Sequence, residues 1–425
     1  MAGSSSSREV SGARWLILGL LILSVLINYI DRGALSVAAA TVGFQQEMGL
    51  TDTRLGLLFS AFFWTYASLQ VVAGYLADHH GVARIFAAGF LFWSAATVLS
   101  GFAASFAALL ALRLLLGMGE AVAYPVYSKI IVSGFPEERR GTANALIDAG
   151  SRAGAALCVL LGGAIAARHG WRMMFVAIGG CGLLWLIPWF LCAAQVPAAR
   201  RNPAQPGPGL AAILRQRQAW GTFFGLFCVN YTWTFILSWL PVYLTRERHY
   251  STQMLAIYGS LPFWGIAASC ALFGWISDRM IARGASPTLV RIGFVAGGLV
   301  LSTLMLPASM LSNQVLSMAL LIVACLSLGL TSSNFWAITQ TLAGPQAAGR
   351  WAGLQNGIGN LAGFGGPYLT GLIVARSGGF FPAFLLASAV SLAGACAYLF
   401  VVRQVAPVEW SRGTAPDRAQ PYFPG

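Results

Sequence analysis

Long apolar stretches alternate along this chain with short polar, mostly basic connections. The apolar segments lie at about 15–40, 55–77, 84–104, 106–130, 141–167, 171–193, 218–244, 253–277, 289–309, 314–341, 348–375 and 379–403. Each approaches or exceeds the roughly 20 residues a helix needs to cross a bilayer. Helices satisfy their own backbone polar groups, which lipid demands of any spanning segment. The pattern predicts an all-α integral membrane protein with twelve transmembrane helices. After the sixth segment the character changes. Gln195 to Arg217 holds Pro197, Pro203, Pro206 and Pro208 among Arg200, Arg201, Arg215 and Arg217, and reads as a flexible basic linker. The expected organisation is a flexible N-terminus over 1–14, a six-helix bundle over 15–194, a linker over 195–217, a second six-helix bundle over 218–403 and a tail over 404–425.

Composition supports the membrane reading. Of 425 residues, 57% are hydrophobic and 9% charged, against about 25% charged in soluble domains. So few charges cannot cover a water-facing surface. The formal net charge of +13 forms no basic patch or aromatic-interleaved run, so nucleic acid is not an expected partner. The basic residues instead sit between apolar segments, and most fall on one side when the N-terminus is placed inside. Both termini are therefore expected in the cytoplasm, with the chain in a bacterial inner membrane. From Trp15 onward the first segment is a full span without a small-residue cleavage pattern, so it is not read as a cleaved signal peptide. The seven cysteines lie in apolar stretches without C-x-x-C or zinc-type spacing, and read as small buried hydrophobes rather than disulfides or metal ligands.

The charges inside the spans are the candidate chemistry. Asp31, Arg32, Arg113, Glu120, Asp148 and Arg152 all lie in the first half. A charge at mid-bilayer costs roughly 2.5–3.5 kcal/mol on insertion scales, so each is a functional hypothesis or part of a structural ion pair. Three acids face three arginines, so protonating one acid leaves a positive site suited to an anion. Arg113 and Glu120 are about two helical turns apart and share a face. Arg32 offers a planar fork that a carboxylate accepts bidentately, and Arg113 is a second substrate-binding cation. Tyr29 and Tyr66 can supply hydroxyls or simply pack. Asp148 and Arg152, at i and i+4, can satisfy each other. In the second half, Gly357, Gly359, Gly363, Gly365 and Gly366 with Pro367 allow either bending or tight packing of the eleventh span. No Gly-x-x-x-x-Gly-Lys-Ser/Thr loop is present, so no nucleotide or other cofactor is expected.

Gly74-Tyr-Leu-Ala-Asp78-His-His-Gly81-Val-Ala-Arg84 follows the second span, and Gly274-Trp-Ile-Ser-Asp278-Arg279 follows the eighth. The expected structure at each is a tight cytoplasmic turn, with Gly allowing close helix approach and Asp capping the next helix or pairing with Arg. The repeat resembles the signature of the major facilitator superfamily, a fold of two pseudo-symmetric six-helix bundles. The first copy departs from it at His79, His80, Val82 and Ala83. Within that superfamily, Asn28-Tyr29-Ile30-Asp31-Arg32 and Arg113-Leu-Leu-Leu-Gly-Met-Gly-Glu120 resemble the anion:cation symporter family, carriers of sugar acids and other organic anions.

The resemblance implies a secondary transporter, not an enzyme, that moves a small organic anion with protons by alternating access. Exporters, antiporters and uncoupled anion facilitators of the same superfamily remain the alternative. It further implies Glu120 as the proton-coupling carboxyl and Asp31 as a second protonatable group. Arg32 would hold the substrate, and Ser333, Trp336 and Asn356 would line its site. Gly74, Asp78, Gly81, Arg84, Gly274 and Asp278 would form the cytoplasmic gating motif. The expected partners are the anion, protons and lipid, and the expected state is a monomer. The sugar-acid members often carry Gln near Ser151, and this chain does not.

Overall fold

The computed structural model describes residues 12–41, 43–196 and 208–410. Among the described residues twelve helical spans follow one another: α1 Gly12–Ala39, α2 Asp52–His80, α3 Val82–Ser100, α4 Phe106–Gly134, α5 137–169, α6 171–192, α7 Arg217–Arg246, α8 Thr252–Ala282, α9 Pro287–Met310, α10 Gln314–Gly344, α11 Gln346–Ser377 and α12 Phe381–Val402. Their boundaries have local causes. The side chains of Thr51, Ser105, Ser251 and Asn313 accept a backbone N–H at the starts of α2, α4, α8 and α10, occupying donors that have no partner within the helix. Gly170 at φ 81° separates α5 from α6, and Gly344 at φ 63° separates α10 from α11. That backbone region carries a Cβ penalty that glycine avoids. Within α4 the helix is interrupted at Ala121 and Val122. Pro125 has no N–H to offer the Ala121 carbonyl, so the ladder fails just after Glu120.

Several sequence expectations change here. The second span continues to His80, so Gly74 and Asp78 stand on α2 and the turn is Gly81 alone, at φ 89°. His79 and His80 belong to that last turn, with Nδ1 of each against the carbonyl four residues back. Gly274 and Asp278 are likewise inside α8. Asp does not cap the next helix in the second copy: Ser286 stands at that N-cap, and no side chain bonds there. The side chain of Asp78 lies outside the described residues. Close approach does not require glycine at position 74, where a Cβ would meet only Pro125 Cβ at 3.9 Å, although Lys129 of α4 donates to the Gly74 carbonyl. Of the expected linker, 197–207 lies outside the described residues, while Leu210–Leu214 forms a short helix rather than a flexible strand of chain. All seven cysteines are free, but Cys181 and Cys396 are exposed rather than buried.

Packing distinguishes the two ends of the molecule. Where α1 and α7 end and α2 begins, one core joins both bundles through Leu35, Phe59, Trp239 and Phe380. Arg246 of α7 pairs there with Asp52 and Gln45 of the first bundle. Ser36 donates to the Ser238 carbonyl at 2.7 Å, and Trp64 to the Phe364 carbonyl at 3.0 Å. Toward the opposite end each bundle has its own core. Phe86, Trp93, Tyr127 and Trp185 fill the first; Phe223, Ile338, Trp351 and Tyr398 fill the second. The bundles are thus sealed together at one end and packed separately at the other. Two glycines of α11 serve this contact: a Cβ on Gly363 would strike Phe63 at 2.4 Å, and one on Gly371 would strike the Asp52 carbonyl at 2.3 Å.

On α2, a Cβ at Gly56 would lie 2.6 Å from the Pro367 carbonyl oxygen and 3.0 Å from Tyr368 Cα. Backbone cannot swing aside as a side chain can, and overpacking of this kind costs about 1–3 kcal/mol. Gly56→Ala should therefore wedge the sealed end apart. Nitroxides at Thr53 and Ser377 should report a longer or second distance population in the variant. An unchanged distribution would show that this seam tolerates the methyl group.

On the sealed face, Glu47 accepts from Arg172 at 2.6 Å and from Trp171 Nε1 at 3.0 Å. The Arg172 hydrogen bond, and then that of Trp171, hold its carboxyl below the usual range. The stabilisation is present above the ordinary carboxylate value and is lost as pH falls through the lowered one. Both side chains are nearly half exposed, which limits the pair to about 1 kcal/mol at most.

Candidate functional site

The helix α1 does not stop at Asp31; it carries Asn28, Asp31 and Arg32 as buried side chains and runs on to Ala39. Successive residues point about 100° apart around a helix of 3.6 residues per turn. Arg32 therefore faces α4, while Asp31 is turned toward Trp93 and Thr97 of α3. Arg32 Nε lies 2.6 Å from Glu120 Oε2, with Glu120 wholly buried at the break in α4. A charge pair of this length is a strong hydrogen bond in a dry site. It is also incomplete, because Arg32 Nη2 and Glu120 Oε1 have no hydrogen-bond partner among the described residues, and neither do the two carboxylate oxygens of Asp31 beside it.

Aromatic rings enclose the guanidinium. Its carbon lies 4.4 Å from the Tyr66 ring centre and 4.8 Å from those of Tyr29 and Phe62. Three π faces favour a cation there and leave Nη2 without a hydrogen-bond partner among the described residues. Tyr66 stacks on Phe62, while the Tyr29 hydroxyl lies 3.4 Å from that of Tyr124. Arg113, also buried, lies 5.5 Å from the Phe62 ring and has an unpartnered Nε. Both arginines line one narrow pocket between the bundles, a cavity of about 20 Å³ shared with Ser36, Phe59, Phe63 and Ser238. The Ser36–Ser238 hydrogen bond stands at its wall toward the sealed end.

The second-bundle candidates are placed less centrally. Asn356 Nδ2 faces Gln70 Oε1 of α2 at 3.5 Å, which puts it at the seam between the bundles. Trp336 packs against Phe335 at the margin of the second bundle's own core. The side chain of Ser333 lies outside the described residues. Its neighbour Ser332 is buried and accepts a hydrogen bond from Arg152 Nη2 at 3.1 Å.

That contact revises the expected Asp148–Arg152 pairing. The two meet at only 3.8 Å, and the Asp148 side chain is 44% exposed against 14% for Arg152. Arg152 instead extends across to the second bundle, with its guanidinium 4.4 Å from the Trp233 ring centre. The expected balance of three acids and three arginines therefore fails as a description of the buried interior, since Asp148 is the one acid of the three that is not buried. Four groups around the site were not legible beforehand: Phe62, Ser36, Ser238 and the Trp93–Thr97 pocket of Asp31. Only Phe62 carried a signal, standing one turn before Tyr66 and so on the same face of α2. Among the described residues, no group of three or more His, Cys, Asp or Glu is placed to hold a metal ion.

Comparison with known proteins gives a concordant result. Residues 21–367 match the family model described as Major Facilitator Superfamily. The chain is 30% identical to a D-galactonate transporter of Escherichia coli O6:H1, over 92% of this chain and 96% of that one. It is 31% identical to a probable sulfoacetate transporter of Cupriavidus necator, covering 91% and 94% respectively. A hexuronate transporter of Bacillus subtilis is 30% identical, covering 91% and 94%. Among solved structures, a bacterial homolog of the human lysosomal transporter Spinster, in an inward-facing and occupied conformation, superposes with a TM-score of 0.74 at 21% identity. That alignment covers 92% of this chain and 95% of that one.

Proposed function

The chain belongs to the Major Facilitator Superfamily, a family of transporters rather than enzymes, and on that premise we propose that it carries a small organic anion together with protons. The observation that carries the reading is the Arg32–Glu120 pair, half satisfied and facing a pocket between the bundles. Ionised Glu120 occupies the guanidinium edge that a substrate carboxylate needs. Protonated Glu120 releases it. Proton and anion binding therefore favour each other, and by linkage the effect is reciprocal. Asp31 is a second proton acceptor beside the first, or the group that holds Arg32 in place. Tyr29 and Tyr66 orient Arg32 through their rings, and Asn356 and Trp336 present the second bundle's polar and aromatic surface to the cargo. Relatives described as carriers of galactonate, hexuronate and sulfoacetate support an anionic substrate.

With the termini in the cytoplasm of a bacterial inner membrane, the sealed end faces outward and the structure is the inward-open member of an alternating-access pair. The helix ends at Gly74, Asp78, Gly81 and Arg84, with Gly274 and Asp278, then close the inner side when the outer seal opens. The protein acts as a monomer, with lipid as its surrounding partner. Proteoliposomes supply the test. Uptake of a labelled sugar acid should rise with an inward proton gradient and collapse when an ionophore dissipates it. Uptake indifferent to the gradient would leave an uncoupled carrier and remove the proton from the mechanism.

A further inference from the structure

Arg152 is a cation that the mechanism above does not use. It comes from α5, lies over Trp233 of α7 at 4.4 Å and gives one Nη to Ser332 of α10 at 3.1 Å. Its Nε is buried and has no hydrogen-bond partner. A guanidinium built only to join the bundles would be expected to use its fork on a carboxylate or on several carbonyls. Arg172, by contrast, places its fork on Glu47 and the Gly101 and Ala103 carbonyls. Arg152 has a single serine hydroxyl, a partly exposed Asp148 at 3.8 Å, and an aromatic face.

The aromatic wall connects it to the first anion position. Arg32 packs on the Tyr29 ring at 4.8 Å, Tyr29 lies 6.5 Å from Trp233, and Trp233 carries Arg152. Tyr29 and Tyr124 stand near enough to both guanidiniums to interact with each. Two under-satisfied cations thus flank one pair of rings, contributed by both bundles. Charge points the same way. With the Asp148 side chain 44% exposed, the less exposed charges are Arg32, Arg113 and Arg152 against Asp31 and Glu120, an excess of one positive charge. Protonation of Glu120 raises it to two.

We propose that Arg152, Ser332 and Trp233 form a second anion subsite, so that the preferred cargo carries two anionic groups, one at Arg32 and one at Arg152. The proposal rests on the organic-anion reading and narrows it to dianions: a dicarboxylate, or a carboxylate joined to a sulfonate. Both end groups present the planar or trigonal oxygens that a guanidinium fork binds. An anion with one charged end engages Arg32 and leaves Arg152 on its serine.

Equilibrium titration of the purified full-length protein with matched pairs tests this: galactarate against galactonate, succinate against butyrate, and sulfoacetate against acetate. The wild type should bind the dianion of at least one pair about tenfold or more tightly than its partner, a difference of about 1.4 kcal/mol. Arg152→Gln should bring that dianion to the level of the monoanion while monoanion affinity stays unchanged, which also shows that the variant is folded. Arg152→Lys, keeping charge without the fork, should fall between. Equal weakening of both members would make Arg152 a structural tie and overturn the proposal, as would a wild type without dianion preference. Failure of all six anions to bind the wild type would overturn the organic-anion reading itself, a result distinct from either.

Discussion

Arg32→Ala is expected to abolish anion binding in any practical concentration range. Truncating one partner of a buried, hydrogen-bonded charge pair costs about 2–5 kcal/mol, which is roughly 30- to 3,000-fold in affinity at 1.4 kcal/mol per decade. Arg32 is 9% exposed and makes its pair with Glu120 at 2.6 Å under three aromatic rings, so the upper part of that range applies. The variant also leaves Glu120 buried without its cation, and a broken buried pair destabilises by about 3–5 kcal/mol. A second substitution separates binding from folding. Arg32→Lys keeps a charge near Glu120 but loses the planar fork, so it should fold and still bind at least about tenfold more weakly. Titration calorimetry with galactonate, beside thermal unfolding of each variant, reads both quantities. Wild-type affinity in either folded variant would reduce Arg32 to a structural ion pair.

The fold was largely legible because membrane spans are written in the simplest pattern a sequence has. Twelve apolar segments became α1 to α12 with ends shifted by a few residues, and Gly170 and Gly378 end the fifth and eleventh helices at the corresponding turns of the two bundles. The errors were local. Nothing between Leu76 and His80 breaks a helix, so the motif placed in a turn is helical. In the site, the first-bundle charges were legible because an ionisable residue in a span is conspicuous. Which charge meets which was not. Arg113 shares a helix with Glu120, yet Arg32 makes the short contact, because the break at Ala121–Val122 and the approach of α1 are tertiary facts. Arg152 was assigned to Asp148 by spacing alone. Spacing allows an i,i+4 pair but cannot say that one member is 44% exposed and the other lies against Trp233. Backbone acceptors such as the Ser238 carbonyl carry no residue-type signal at all.

Glu120→Gln should give the opposite phenotype to Arg32→Ala: a carrier that binds its anion and no longer couples it to protons. In the wild type, anion affinity should fall as pH rises, because each ionised Glu120 takes the Arg32 edge that the substrate requires. Glutamine is isosteric with the protonated acid and can offer Arg32 only a neutral acceptor, so the competition is removed at every pH. Affinity in the variant should match or exceed the wild-type value at low pH and stay level as pH is raised. Accumulation driven by a proton gradient should be lost, while exchange of labelled for unlabelled anion across the membrane continues, since exchange needs binding and bundle movement but no net proton transfer. The seal formed by Arg246 with Asp52 and Gln45 is untouched by the substitution, which is why movement should survive. Counterflow and gradient-driven uptake in the same proteoliposomes distinguish the outcomes. Retained accumulation would move the coupling proton to Asp31, whose two carboxylate oxygens are buried without a hydrogen-bond partner one residue away from Arg32. Loss of both activities together with binding would instead mean that Glu120 is needed to hold Arg32 in position, and the proton competition at this pair would fall with it.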